Sequence, residues 1–170
     1  MTDSVKYSTG VKRFVAAVID GIIFLPVLFV EDLILRSVGT RALIFAGVTF
    51  FALLPILYSI MLHFRFGQTY GKWVVGVRVL NSSETKKMTL QQAILRDSVP
   101  LVVQLGGLCY YLSAILKPIQ QNDIINDYNR FGETLLFVWT VLELSTMLIN
   151  SKRRAIHDFL ANSVVVRTPT

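Results

Sequence analysis

The chain has 170 residues, of which 53% are hydrophobic and only 16% charged, with a mean hydropathy of +0.55; a soluble domain carries about 25% charged residues. This excludes an ordinary soluble enzyme domain and describes an integral membrane protein, of a size for one compact bundle without a separate soluble domain. The net charge of +6 does not indicate nucleic acid, because the basic residues flank apolar segments and lack the interleaved aromatics and glycines of an RNA-binding module.

Residues 1–12 read as a short, poorly fixed polar arm. No cleavable signal is expected, since Asp20 interrupts the first apolar run and no small-x-small site follows it. Apolar spans are predicted at about 14–30, 42–62, 97–116 and 133–149. The first covers roughly 25 Å as a helix, slightly short of a ~30 Å hydrocarbon core. Pro26 should bend it rather than end it. The second span carries no charge and contains Pro55, with Tyr58 and Ser59 on the following turn. Ahead of the third, Thr89 and Gln92 have capping-box spacing, so a helix should start in the interface and run into the membrane. The fourth span carries Glu143. The single cysteine, Cys109, allows no intrachain disulfide and sits among apolar neighbours.

Lysine and arginine positions set the orientation. With both termini cytoplasmic, 13 of the 17 basic residues fall on the inner side; Arg36, Arg41, Lys117 and Arg130 remain outside. The outer connection 117–131 is polar. The inner connection is more structured: residues 67–76 form a short amphipathic stretch with Tyr70 and Trp73 suited to headgroups and Lys72 to anionic lipid. Residues 77–80 and 163–167 are β-branched and strand-like, and two lone strands on one side of the membrane should pair. The predicted fold is therefore an all-α integral membrane protein with four transmembrane helices, an amphipathic inner-surface helix and a small two-stranded cytoplasmic β element. It forms a single domain over 1–170, with a surface segment at 66–92 and a C-terminal segment at 151–170.

Four stretches in order, Arg13 to Asp20, Gly67 to Lys72, Ala93 to Arg96 and Arg154 to Leu160, resemble the RDD family of bacterial membrane proteins over nearly the whole chain. The family takes its name from one arginine and two aspartates; the matching positions are Arg13, Asp20 and Asp158. The resemblance implies a multi-pass protein of the cell membrane for which transport of unknown ligands, or sodium/proton exchange in some members, has been proposed. The polar outer connection and Glu143 depart from the usual pattern.

Depth counting places an ion or proton site. Asp20 lies seven residues after Arg13 and so about 10 Å into the membrane, a separation too long for a comfortable ion pair. The same count puts Gln104 and Glu143 at that level, with Tyr58 and Ser59 just below. A carboxylate inside hydrocarbon costs roughly 2.5 to 3.5 kcal/mol on insertion scales. Two carboxylates in one layer would share a proton or a cation; alternatively, Asp20 hydrogen-bonds to neighbouring helices and fixes their register. Asp158 is expected to cap its helix or to pair with Arg13 or Arg96, tying the C-terminus to the bundle. Lys152, Arg153 and Arg154 read as a stop-transfer cluster near anionic lipid. Gly106 and Gly107 are expected to allow close helix approach. No nucleophile set, metal-ligand spacing or phosphate cradle is present, so neither an enzyme nor a cofactor or metal site is expected. The predicted function is cation/proton transport, with a non-transporting adaptor as the alternative. The partners would be the lipid bilayer, further copies of the chain or another protein, and no nucleic acid.

Overall fold

A computed structural model describes residues 3–37, 39–115 and 121–168. The elements run α1 (Asp3–Lys6), α2 (Gly10–Ser37), α3 (Arg41–Phe66), α4 (Tyr70–Val74), β1 (Val77–Asn81), α5 (Leu90–Arg96), α6 (Ser98–Ile115), α7 (Gln121–Ile149), α8 (Ile156–Leu160) and β2 (Ser163–Arg167). Helix α2 packs on α3 and α4, α3 on α5 and α6, and α6 on α7.

Residues 10–34 and 41–66 are long and apolar enough to cross a membrane; at 1.5 Å per residue each reaches about 38 Å. Their large apolar side chains face outward, among them Ile22, Leu25 and Phe29 on α2 and Leu43, Phe50 and Leu57 on α3. Water would penalise such a surface and lipid does not. Two further apolar helices, 98–113 and 134–149, are shorter. Pro26 and Pro55 both lie inside continuous helices.

The helix capped by Thr89 does not continue into the third apolar segment. Thr89 accepts from the Gln92 N–H and Gln92 accepts from that of Thr89, closing the capping box. Helix α5 then stops at Arg96, with Asp97 at φ −97°, ψ 13°. Pro100 explains the break: it has no N–H for the Arg96 carbonyl, and its ring would collide with that carbonyl in an unbroken helix. The end of the third segment near 116–118 lies outside the described residues. On the far side, α7 begins at Gln121, so much of the polar connection is helical and continuous with the apolar stretch that follows.

The strands pair antiparallel, with Val77 opposite Arg167, Val79 opposite Val165 and Asn81 opposite Ser163. Both faces of this ribbon are covered, which is why so short a sheet is well buried. Val77, Val79 and Val165 pack with Met88, and Val164 and Val166 pack with Tyr7. The described part of the N-terminal arm is accordingly docked and not loose: Tyr7 and Thr9 are buried and Arg167 Nε donates to the Ser8 carbonyl at 2.9 Å. Glu84 staples the arm down, accepting from Lys6, from Tyr7 Oη at 2.5 Å and from Lys152 at 3.0 Å. Burial raises the Glu84 carboxyl, but these hydrogen bonds outweigh it and hold the group down at about 2.

Candidate functional site: an ionic layer at the sheet end of the bundle

Helix α8 carries Asp158, which is 0% exposed. One of its oxygens accepts from the Ala155 N–H at 3.0 Å, capping the first turn of α8. The carboxylate also pairs with two arginines, Arg96 from α5 and Arg13 from α2, the latter at 2.8 Å. Ser163, at the start of β2, lies 2.9 Å from Arg96 Nη1 and 3.4 Å from Asp158 Oδ1. One carboxylate thus joins the first apolar helix, the helix before the third, the C-terminal helix and the sheet. Burial raises the Asp158 carboxyl, yet Arg96 and then Arg13 hold it far below the usual carboxylate range. Removing one member of such a buried pair typically costs about 3 to 5 kcal/mol, because its partner is left uncompensated.

His157 turns the same two arginines toward a second acid. Its Nε2 lies 3.0 Å from Arg13 Nη2 and 2.7 Å from Arg96 Nη2. Guanidinium N–H groups only donate, so Nε2 must be the acceptor and Nδ1 must carry the proton. Nδ1 faces Glu143 Oε1 of α7 and donates to it. Burial, and next the charge of Arg96, push the His157 pKa down, which keeps the ring neutral. Arg13 further donates to the Arg153 carbonyl at 2.9 Å. The layer balances two guanidinium charges against the carboxylates of Asp158 and Glu143, with a neutral imidazole between.

Asp20 occupies a separate site. Its Oδ1 accepts from Tyr58 Oη at 2.9 Å and from the Gly71 N–H at 2.8 Å, and its Oδ2 accepts from Thr69 Oγ1 at 2.6 Å. Thr69 is the N-cap of α4 and accepts from the Lys72 N–H, while the Tyr70 N–H donates back to Tyr58 Oη at 3.1 Å. The stretch Gly67 to Lys72 is intelligible from this contact. Gly67 ends α3 at φ 73°, donates to the His63 carbonyl and accepts from Val79 N at 2.7 Å, turning the chain toward the sheet. Gly71 must be glycine because a Cβ there would stand 2.2 Å from the Ala16 carbonyl oxygen and 2.9 Å from Asp20 Cγ. The bare backbone lets α4 lie directly against α2.

The geometry redistributes the residues picked out by depth counting. Tyr58 meets Asp20, but Ser59 donates to Asp97 at 2.8 Å. Glu143 goes to His157 and not to Asp20, so the two carboxylates do not form a shared pair: each has donors of its own. Counting along a helix fixes height and leaves azimuth open, and azimuth separates them. Gln104 is half-buried on α6. Lys72 does not face lipid; its Nζ lies 2.5 Å from His63 Nε2. Tyr70, Trp73 and Val74 are the exposed residues of α4. Of the basic cluster, Lys152 pairs with Glu84 and Arg154 Nη2 donates to the Asp158 carbonyl at 3.1 Å, whereas Arg153 is exposed at φ 50°. The close approach by glycine falls at Gly71, while a Cβ at Gly106 would meet open space.

Sequence reasoning passed over Ser163, Thr69 and Asn150. Asn150 ends α7 by donating to the Thr146 and Arg154 carbonyls at 2.8 and 2.6 Å and accepting from Arg154 N. That turn swings α8 back beneath Glu143. An asparagine directly after a long apolar helix was the available signal.

A family model described as the RDD family matches residues 7–162. Comparison with curated proteins and with solved structures found no match.

Proposed function

The chain belongs to the RDD family, and on that premise we propose that this membrane protein exchanges a monovalent cation for a proton, with Glu143 as the exchanging carboxylate. In this reading the four apolar helices all cross the cell membrane, and the sheet, the ionic layer and both termini lie on the cytoplasmic side. Most of the lysines and arginines then fall inside, as the positive-inside tendency requires.

One observation carries the proposal: among the acids of the buried layer, Glu143 is the accessible and lightly held one. Its side chain is 20% exposed, against 0% for Asp158. Asp158 is committed to two arginines and a backbone N–H, and Asp20 to three donors. Among the described residues, Glu143 is held by the Nδ1–H of His157 alone. A carboxylate gripped by one neutral donor can take a proton or a cation on its other oxygen without dismantling the fold. Because Arg13 and Arg96 occupy His157 Nε2, an arriving proton goes to Glu143 and leaves the imidazole neutral. Proton and cation then compete for one site, the requirement for electroneutral exchange.

The experiment is sodium-, potassium- or lithium-driven proton movement by the purified protein in liposomes. Wild type should exchange at least one of these ions, and Glu143→Gln should abolish exchange while Asp32→Asn, in an exposed pair with Arg36, retains it. Equal flux in Glu143→Gln and wild type removes Glu143 from the role. The charge balance of the layer also favours a second reading, an inert clasp in a membrane adaptor that docks a partner on its basic face; absence of flux for all three ions supports that one.

A further inference from the structure

Between the Asp20 site and the Asp158 clasp lies a set of ionisable groups that neither of them uses. Lys72 Nζ is 2.5 Å from His63 Nε2, His63 Nδ1 is 3.1 Å from Ser59 Oγ, and Ser59 Oγ is 2.8 Å from Asp97 Oδ2. His63 and Ser59 are four residues apart on α3 and share one face; His63 is only 2% exposed. Lys72 reaches it from α4 and Asp97 from the junction of α5 and α6.

The donors can be assigned. An ammonium only donates, so His63 Nε2 accepts. Ser59 spends its one hydrogen on the Asp97 carboxylate, so its oxygen accepts from His63 Nδ1–H. All three hydrogen bonds therefore point the same way, from Lys72 to Asp97. We infer that Lys72, His63, Ser59 and Asp97 form a proton-transfer site whose ligand is the proton itself. The step balances as three concerted shifts. The Lys72 Nζ–H breaks as Nε2–H forms, Nδ1–H breaks as a new Ser59 Oγ–H forms, and the old Oγ–H breaks as Asp97 Oδ2–H forms. One net proton moves from Lys72 to Asp97, leaving a neutral amine, the other imidazole tautomer and a protonated carboxyl. No heavy atom travels.

The surroundings loosen the hold of Lys72 on its proton. Burial, then Arg96 of α5 and Arg13 of α2, oppose the Lys72 ammonium, while Asp97 and Asp158 of α8 favour it, and the balance brings the group from 10.5 down to about 7. Arg96 and His157 also face His63. The site goes beyond the exchange reading and stands on its own geometry.

The test is nitrogen NMR of ¹⁵N-histidine protein in nanodiscs, with the two histidines told apart by the spectrum of His63→Gln. Transfer swaps the His63 tautomer, so wild type should show ring nitrogens averaged between protonated and bare. Ser59→Ala, which cuts the path without changing charge, should lose the averaging and show one fixed tautomer, and Ser59→Thr, which keeps the hydroxyl, should restore it. A single fixed tautomer in wild type, the same as in Ser59→Ala, overturns the site. Liposome exchange by wild type without averaging sinks the relay alone. Averaging without exchange supports the relay and sinks the transport reading.

Discussion

Gly71→Ala puts the close contact between α4 and α2 to a test in which sequence and structure disagree about sign. Judged by helix propensity, alanine at a helical glycine stabilises by up to about 1 kcal/mol. The structure gives the opposite answer. The new Cβ would lie 2.2 Å from the Ala16 carbonyl oxygen and 2.9 Å from Asp20 Cγ, and the nearer obstacle is backbone, which cannot swing aside. Relief requires α4 to retreat by about 1 Å, since normal carbon to oxygen contact begins well beyond 3 Å. That motion stretches the 2.8 Å bond from Gly71 N to Asp20. Overpacking costs about 1 to 3 kcal/mol, and a lost hydrogen bond to a carboxylate about 1.5 to 3 kcal/mol. Together they outweigh the propensity gain by roughly 2 to 5 kcal/mol, which lowers the melting temperature by about 10 °C in a chain of this size. Thermal unfolding in detergent, followed by size exclusion, measures it. A melting temperature equal to or above that of wild type would refute the contact and, with it, the assignment of Asp20 as the anchor of α4.

Asp158→Asn should destabilise by about 3 to 5 kcal/mol, read by the same assay. The exchange Arg13→Asp with Asp158→Arg should recover only part of the loss, since an arginine at 158 still meets Arg96; complete recovery would deny Arg96 its part in the clasp. Glu84 has a folded pKa depressed from 4.5 to about 2, so its stabilisation is present above 4.5 and is lost as pH falls from there through about 2. In melting curves across that window Glu84→Gln should show a shallower decline than wild type; parallel curves would mean that the staple contributes nothing. Lys72 is the reverse case. Its folded pKa lies below its ordinary 10.5, at about 7, so between those values the unfolded chain binds more protons and stability rises with pH. Lys72→Met should lack that rise, and an unchanged slope would place Lys72 in ordinary solvent.

Local and compositional features were legible in the chain. Apolar length marked the membrane helices, Thr89 and Gln92 carried a complete capping box three residues apart, and two β-branched runs with unpaired backbone had only each other to pair with. These follow from interactions within a few residues or from a choice with one available partner. What is polar and buried was legible only as a set. Arg13, Arg96 and Asp158 could be named as members of a clasp, and Asp20 and Glu143 as costly acids. Which donor reaches which carboxylate depends on the rotation of each helix about its axis and on the turns between helices. The Asn150 turn brings His157 under Glu143, Pro100 breaks the helix at Asp97, and the glycine at 71 sinks α4 onto Asp20 and draws Lys72 inward to His63. Sequence spacing measures height along a helix, which composition already constrains through the membrane. Azimuth costs almost nothing in sequence pattern and is decided by packing, so Arg13 and Asp20 were separated, into a clasp with Asp158 and an anchor for α4, by the tertiary structure alone.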